Sequence, residues 1–331
     1  MRTIKIGKAK MEASVVGLGA WAIGGDSNWG PSDDQESIRT IHRALDLGVN
    51  LIDTAPAYGL GHGEEVVGKA LRGKRHEYVL STKCGIRWDI KEGALLLERD
   101  GVRILRNTRP ERLKEEIHAS LKRLNTDYID IYIVHWQEVP EFPCPIVDTM
   151  GFLMDLKREG KIRAIGASNL SPEQFLEYVS AGDLDLIQER YSMVYRKAEP
   201  LFFPLCKQYG VTFQAYSPLE RGALTQAFLK GQLEVKGLAR SKIPWFQGEG
   251  AEKLRKVLSG WESLCEKYTC TLTQLVIAWT ASHGEGVQVN VLCGARICSQ
   301  IEENARGGEL YLSKEDMERM RKDIESLAIP L

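Results

Sequence analysis

NLIDTAPAYG, residues 50–59, is the stretch whose reading organises the rest of the chain. The run Asn50-Leu51-Ile52 is too short for a helix and is closed by Asp53, and Pro56 disfavours α geometry at Ala55. Asp53 therefore reads as a strand end and Tyr58 as a loop residue beyond it, on the same rim. Two further ionisable groups close comparable apolar runs: Lys83 after Tyr78-Val79-Leu80-Ser81-Thr82, and His135 after Tyr128-Ile129-Asp130-Ile131-Tyr132-Ile133-Val134. Ligands and chemistry gather at the C-terminal ends of parallel strands, so these four side chains point to one site. Singly, Asp53 is compatible with a turn, Lys83 with a solvated terminus and His135 with a core histidine; the reading rests on the set.

Outward from this stretch the chain alternates. Strands are predicted at residues 15–19, 50–53, 78–83, 128–134, 162–167, 186–191, 211–215 and 287–292. Between them fall helices capped by Asp33 or Asp34, a short one over 63–71, and others over 110–124, 147–158, 172–180, 200–209, 251–282 (broken near 269–271) and 299–306. In helix 110–124, Leu113, Ile117, Leu121 and Leu124 share one face, with Glu111 early and Lys122-Arg123 late. Strict βα alternation to eight strands argues for an α/β fold, a closed (β/α)8 TIM barrel, because parallel neighbours need right-handed crossovers. A hairpin over 3–16 precedes it and an extra C-terminal helix over 313–327 follows, giving one domain over 1–331.

Composition narrows the class without naming a partner. With 331 residues, 43% hydrophobic, 27% charged and a formal charge of −1, the chain has the profile of a soluble globular protein, not of a nucleic-acid binder or a membrane protein. No signal-peptide core or membrane-length apolar run is present, so a cytoplasmic location is expected. Seven cysteines without a C-x-x-C suit reduced thiols. Gly17-Leu18-Gly19-Ala20-Trp21-Ala22 fits a dinucleotide G-x-G-x-x-G/A pattern, but residues 23–31 are hostile to the helix that pattern requires, and a Rossmann reading is rejected. Three long connections, 84–108, 137–145 and 217–250, all follow strands and fall on the rim of the four titratable residues. The first is expected to form a two-stranded flap turning at Arg99-Asp100-Gly101.

A phenol with an ordinary pKa near 10 donates poorly at neutral pH, but an adjacent ammonium and an imidazole donor are expected to favour its ionised form. Tyr58 would be the acid, Lys83 the group that lowers its pKa, Asp53 the partner of Lys83, and His135 the residue that orients a carbonyl oxygen. That is carbonyl reduction.

With these residues placed, the chain resembles the aldo-keto reductases, whose Asp, Tyr, Lys, His tetrad matches Asp53, Tyr58, Lys83 and His135. The likeness extends through Gly160-Lys161-Ile162-Arg163-Ala164-Ile165-Gly166-Ala167-Ser168-Asn169 and Gly294-Ala295-Arg296, with Gln300 and Glu303-Asn304 beyond. It implies an oxidoreductase using a nicotinamide cofactor, NADP(H) in preference to NAD(H), on a small carbonyl or polyol, with the hairpin closing the barrel floor. It places Gly19, Ala20, Trp21 and Asp53 at the cofactor, with Ser168, Asn169 and Gln188 on its carboxamide and Tyr216 stacked on the ring. Ser217, Leu219, Arg221, Gly222 and Leu224 would follow the pyrophosphate, and Gly294, Arg296, Gln300, Glu303 and Asn304 the adenosine end. The Arg296 fork suits a 2′-phosphate. Gly63 departs from the pattern, standing where many members carry a serine that caps the next helix. Trp21, Tyr58, Trp88, His135 and Trp136 are the expected substrate pocket, with Trp29 and Trp245 as further candidates.

Two other classes compete. A nucleotide-sensing binding subunit of the kind associated with channels would share fold and cofactor, but the tetrad is intact and no docking segment is evident. A metal-dependent hydrolase needs several rim histidines, and His42, His118 and His283 fall in predicted helices. No metal site, nucleic acid or membrane is expected; an oligomer is compatible with the sequence.

Overall fold

Eight parallel strands close on one another: β1 (Val16–Gly19), β2 (Leu51–Asp53), β3 (Val79–Cys84), β4 (Ile129–Val134), β5 (Ile162–Ser168), β6 (Leu186–Arg190), β7 (Thr212–Tyr216) and β8 (Val289–Gly294), which pairs back onto β1. The computed structural model describes residues 1–235, 237–241, 243–282 and 286–327. The barrel helices are α1 (Asp34–Asp46), α2 (His62–Ala70), α3 (Pro110–Leu124), α4 (Ile146–Arg158), α5 (Pro172–Ala181), α6 (Ala198–Tyr209), α7 (Leu272–Ser282) and α8 (Cys298–Gly307), with α9 (Lys314–Glu325) packed outside the barrel repeat.

Local chemistry sets these elements. Asp33 caps α1 by accepting from Glu36 N at 3.0 Å, Pro110 opens α3, and Ser171 with Gln174 forms a capping box on α5. Apolar faces such as Leu113, Ile117 and Leu124 of α3 pack on the outer surface of the barrel. A second core fills its lower interior, where Leu51, Val79, Ile131, Ile133, Ala164 and Leu186 meet Ile6, Met11 and Ala13 of the hairpin Thr3–Ile6/Met11–Ser14. Each large apolar side chain so buried stabilises the fold by ~1.5–3 kcal/mol, and together they stopper the floor.

Four details differ from expectation. The 251–282 region breaks near 269–271 as expected and a second time at Gly260-Trp261, which makes three helices, Gly248–Ser259, Glu262–Lys267 and α7; at the second break Trp261 turns fully into the core and its indole N–H donates to Asp323 at 2.9 Å. The flap has three strands, not two: Ala94–Arg99 and Val102–Arg106 turn through Asp100 and Gly101, both at positive φ (52° and 75°), and the two-residue strand Ile86–Arg87 pairs on the other edge. The cap of α2 is Gly61, at φ 98°, so Gly63 is not a cap; it lies within the helix, where a Cβ would meet Tyr58 O at 3.1 Å. Trp245 is buried in the outer core instead of lining a pocket. His283 lies outside the described residues. Among those described, no helix is long and apolar enough to cross a membrane.

Candidate active site

Alternation along β3 puts Ser81 and Lys83 on one face, and both reach Asp53 on the neighbouring β2. Ser81 Oγ donates to Asp53 Oδ2 at 2.9 Å. Lys83 Nζ donates to Asp53 Oδ1, to Thr54 O at 2.9 Å and to Tyr58 OH at 3.1 Å, which engages all three ammonium protons. The ion pair is dry, with the Lys83 and Asp53 side chains 0% and 1% exposed. Tyr58 stands edge-on to His135, ring centres 6.0 Å apart, and the four residues thus come together as one group.

Burial opposes charge on Lys83, but Asp53 and Tyr58 more than offset it and hold the ammonium pKa above its ordinary value. Burial, then the charge on Lys83, push His135 well below the usual histidine range, so its imidazole is neutral. Among the described residues, His135 Nδ1 is buried without a partner. An orphaned buried N–H is rarer than an orphaned acceptor, so we assign the proton to Nε2 and make that atom the donor. Tyr58 reverses the expectation from its neighbours: burial raises its pKa above 10 and outweighs the lowering by Lys83, with Asp53 adding to the rise. Lys83 and Asp53 are legible from the sequence as charges, whereas the depth of the site is not.

Trp29, Trp21 and Tyr58 continue the wall, with Trp21 edge-on to Trp29 at 5.3 Å and tilted against Tyr58 at 6.3 Å. Trp136 lies under Arg106 of the flap, centred 5.3 Å from its guanidinium. Trp88 sits beside Gly61 and under Arg123, at the outer shoulder of the catalytic loop.

Across the mouth, Ser168 Oγ donates to the Gln188 carbonyl at 2.6 Å, and Asn169, at φ 56°, donates to His135 O at 2.9 Å and accepts from Tyr216 OH at 2.9 Å. Gln188 Nε2 donates to Asp53 Oδ2 at 3.0 Å, which joins this group to the tetrad, and Ala20 N donates to Asp53 O at 2.8 Å. The loop after β7 holds Ser217, Glu220, Arg221 and Gly222 at positive φ. It is anchored by the fully buried Glu220, which accepts from Arg190 and Ser192, each at 2.7 Å. The sequence carries no signal of that anchor, because a loop acid and a strand-end arginine read as solvated. Leu224 is wholly buried and Leu219 packs against the same core, so Leu224 offers the groove only backbone.

At the far end, Arg296 does not stand free. Its fork donates to Trp29 O at 3.0 Å and to Pro31 O, while its backbone N–H donates to Gln300 Oε1 at 2.8 Å. Asn304 donates to Gly294 O at 3.2 Å, and Glu303 accepts from Thr271 Oγ1 at 2.7 Å. Loop 25–31 is also held from the β7 side, by Leu238 N to Ser27 O and Ala239 N to Asn28 O, and from the flap by Arg99 to Asp26 at 2.8 Å. The residues suit a nicotinamide dinucleotide: polar atoms without protein partners at His135, an aromatic at Tyr216, and a left-handed backbone turn after it.

The model for the Aldo/keto reductase family matches residues 15–325. The chain is 42% identical over 329 residues to the NADH-specific methylglyoxal reductase of Escherichia coli (strain K12), covering 99% of each. It is 36% identical over 330 residues to an aldo-keto reductase of Bacillus subtilis (strain 168), covering 99% of this chain and 93% of that one. Among solved structures, the glycerol dehydrogenase of Gluconobacter oxydans superposes with a TM-score of 0.84 at 34% identity, over 99% of this chain and 96% of the other. The closed eight-stranded barrel, the tetrad at its mouth and a family match across nearly the whole chain agree, and the protein belongs to the aldo/keto reductase family.

Proposed function

We propose that the chain is a reductase of small aldehydes and ketones, 2-oxoaldehydes such as methylglyoxal among them, and that in reverse it oxidises small polyols. One observation carries this reading: Tyr58 OH lies 3.1 Å from a buried Lys83 ammonium that is itself paired with Asp53, beside a neutral His135. The similar reductase from Escherichia coli and the similar dehydrogenase from Gluconobacter oxydans support the two directions. The nicotinamide cofactor, when bound, supplies the hydride that reduces the carbonyl carbon.

The chain's own residues handle the oxygen. His135 donates to it and fixes its position, and Tyr58 gives up its phenolic proton as negative charge develops there. Lys83 stabilises the phenolate left behind, and Asp53 keeps Lys83 charged and aimed. In oxidation the phenolate takes the proton back from the alcohol. Trp21 and Trp29 wall the pocket, while Trp88 and Trp136 act at its margin, through the catalytic loop and the flap. Ser168, Asn169 and Gln188 would hold the carboxamide, Tyr216 would back the ring, residues 217–224 would follow the pyrophosphate, and residues 294–304 would hold the adenosine end.

The cofactor preference turns on Arg296. Its fork already serves two neutral carbonyls, so a 2′-phosphate gains only the difference between charged and neutral hydrogen bonds, ~1.5 kcal/mol. NADPH is therefore favoured about tenfold, and NADH also serves; the similar NADH-specific reductase supports the use of NADH and not the preference. The test of the reading is Tyr58→Phe, which should keep cofactor binding and lose at least ~100-fold in turnover of methylglyoxal. A chemistry-limited rate above half that of wild type would refute it.

A further inference from the structure

Three amides cross the barrel interior directly below the site, and nothing in the proposed chemistry uses two of them. Gln188, Gln214 and Asn290 are cross-strand partners on β6, β7 and β8, and are 3%, 0% and 0% exposed. Asn290 Nδ2 donates to Ser14 O at 2.9 Å and to Val15 O at 3.2 Å, below the start of β1. Gln214 Nε2 donates to Asn290 Oδ1 at 2.8 Å, and Gln188 Nε2 donates to Gln214 Oε1 at 2.6 Å and to Asp53 Oδ2 at 3.0 Å.

The orientation of each amide follows from the two ends of the chain. Backbone carbonyls at the floor and an ionised carboxylate at the mouth can only accept. Asn290 must therefore turn its NH2 to the floor, which leaves its oxygen for the NH2 of Gln214, and the oxygen of Gln214 for the NH2 of Gln188. From above, Asp53 demands the same NH2 of Gln188. Both ends leave one atom over: Gln188 Oε1, which accepts from no described residue and belongs to the amide that reaches Asp53. Flipping any single amide would set oxygen against oxygen in a dry interior.

We infer that Gln214 and Asn290 are positioning residues that hold Gln188 Oε1 as a fixed acceptor for the amide NH2 of the nicotinamide. The inference rests on the proposed placement of the carboxamide at Gln188, and it makes the barrel floor part of cofactor recognition. Gln188 is gripped at two points, Asp53 and Gln214; loss of the second lets it pivot about the first.

The experiment compares NADH with its 3-acetylpyridine analogue, in which a methyl ketone replaces the carboxamide and no NH2 remains to be read. Kd is measured by quenching of tryptophan fluorescence, without turnover. Gln214→Met should weaken NADH roughly five- to tenfold, the range of one neutral hydrogen bond, and the analogue by less than about twofold. Equal losses for both ligands, or none for either, would overturn the inference, since a merely structural role does not distinguish them. Gln188→Met separates the layers. If it discriminates the ligands and Gln214→Met does not, the inference alone fails; if it does not discriminate, the carboxamide placement fails and takes the inference with it. Should Gln214→Met not fold, Asn290→Ala serves in the same assay, with a selective loss of roughly threefold expected and the same refuting outcomes.

Discussion

Replacing Lys83 by Met strips Asp53 of its ionic partner while changing the volume of the site little. Asp53 keeps Ser81 and Gln188 as donors at 2.9 and 3.0 Å, so it is left hydrogen-bonded but uncompensated, at 1% exposure. Breaking a buried pair from one side costs about 3–5 kcal/mol, and the two retained donors put this case at the lower end, ~3 kcal/mol. For a chain of this size that is a fall in Tm of roughly 4 °C. The double variant Asp53→Asn/Lys83→Met removes the stranded charge and should recover about 2 kcal/mol, because a neutral buried pair escapes the desolvation penalty. Neither variant should reduce methylglyoxal at more than ~1% of the wild-type rate, since both leave Tyr58 without an ammonium. Urea unfolding gives the stabilities, and NADH oxidation the rates. If the single and double variants unfold at the same urea concentration, Asp53 and Lys83 do not stabilise one another as a buried ion pair, and the electrostatic account of the site falls.

Because Tyr58 is held above 10 and His135 well below 6.5, the reductive kcat should be level between those values, while the oxidative rate, which needs the phenolate, climbs with pH towards and beyond 10; a reductive rate that falls steadily from pH 7 to 9 would contradict this. The depressed pKa of His135 also means that the stability it contributes is present above about 6.5 and lost as pH falls, whereas Lys83, raised above 10.5, contributes stability below that value that is lost in alkali. Glu116, buried and raised by burial to about 8, costs stability as pH climbs from about 4.5 to 8, so Glu116→Gln should stabilise the protein by at least ~1 kcal/mol at pH 8 and by little at pH 5, as read by urea midpoints at the two pH values. Arg296→Ala should reduce NADPH affinity about tenfold and leave NADH within about threefold, in a fluorescence titration of both; equal losses would show that Arg296 does not read the 2′-phosphate.

Much of this site was legible because its parts interrupt apolar runs. Asp53, Lys83 and His135 each fall at or within one residue of a strand's end, where they interrupt an apolar run, and Asp33 and Pro110 announce the helices between. The reading fails where a polar residue is buried without breaking the pattern. Gln214 and Asn290 sit inside strands that read as core, Glu116 lies on a helix where Glu111, Lys114, Glu115 and Lys122 are exposed, and Glu220 hides in a loop. Nothing local separates a buried acid from an exposed one; only the packing of a distant element does. The Ile86–Arg87 strand was too short to carry an alternation, and the turn at Trp261 breaks a helical pattern because its indole finds Asp323 far along the chain. The pKa of Tyr58 belongs with these, since its neighbours could be named while the dryness around it could not.

The pairing of Lys83 with Asp53 has a consequence for survival in the presence of substrate. Aldehydes, and 2-oxoaldehydes above all, condense with free amines, and a lysine whose pKa is lowered by an apolar pocket becomes a ready nucleophile for an imine. In the proposed mechanism the Tyr58 phenol meets the carbonyl, and Lys83 lies 3.1 Å from that phenol, so it would be the amine at risk of such self-modification during turnover. Its protons are committed to Asp53, Thr54 and Tyr58, and its raised pKa keeps the nitrogen lone pair out of reach. On the proposed mechanism, holding Lys83 as a cation is what would keep it unreactive towards an electrophilic substrate.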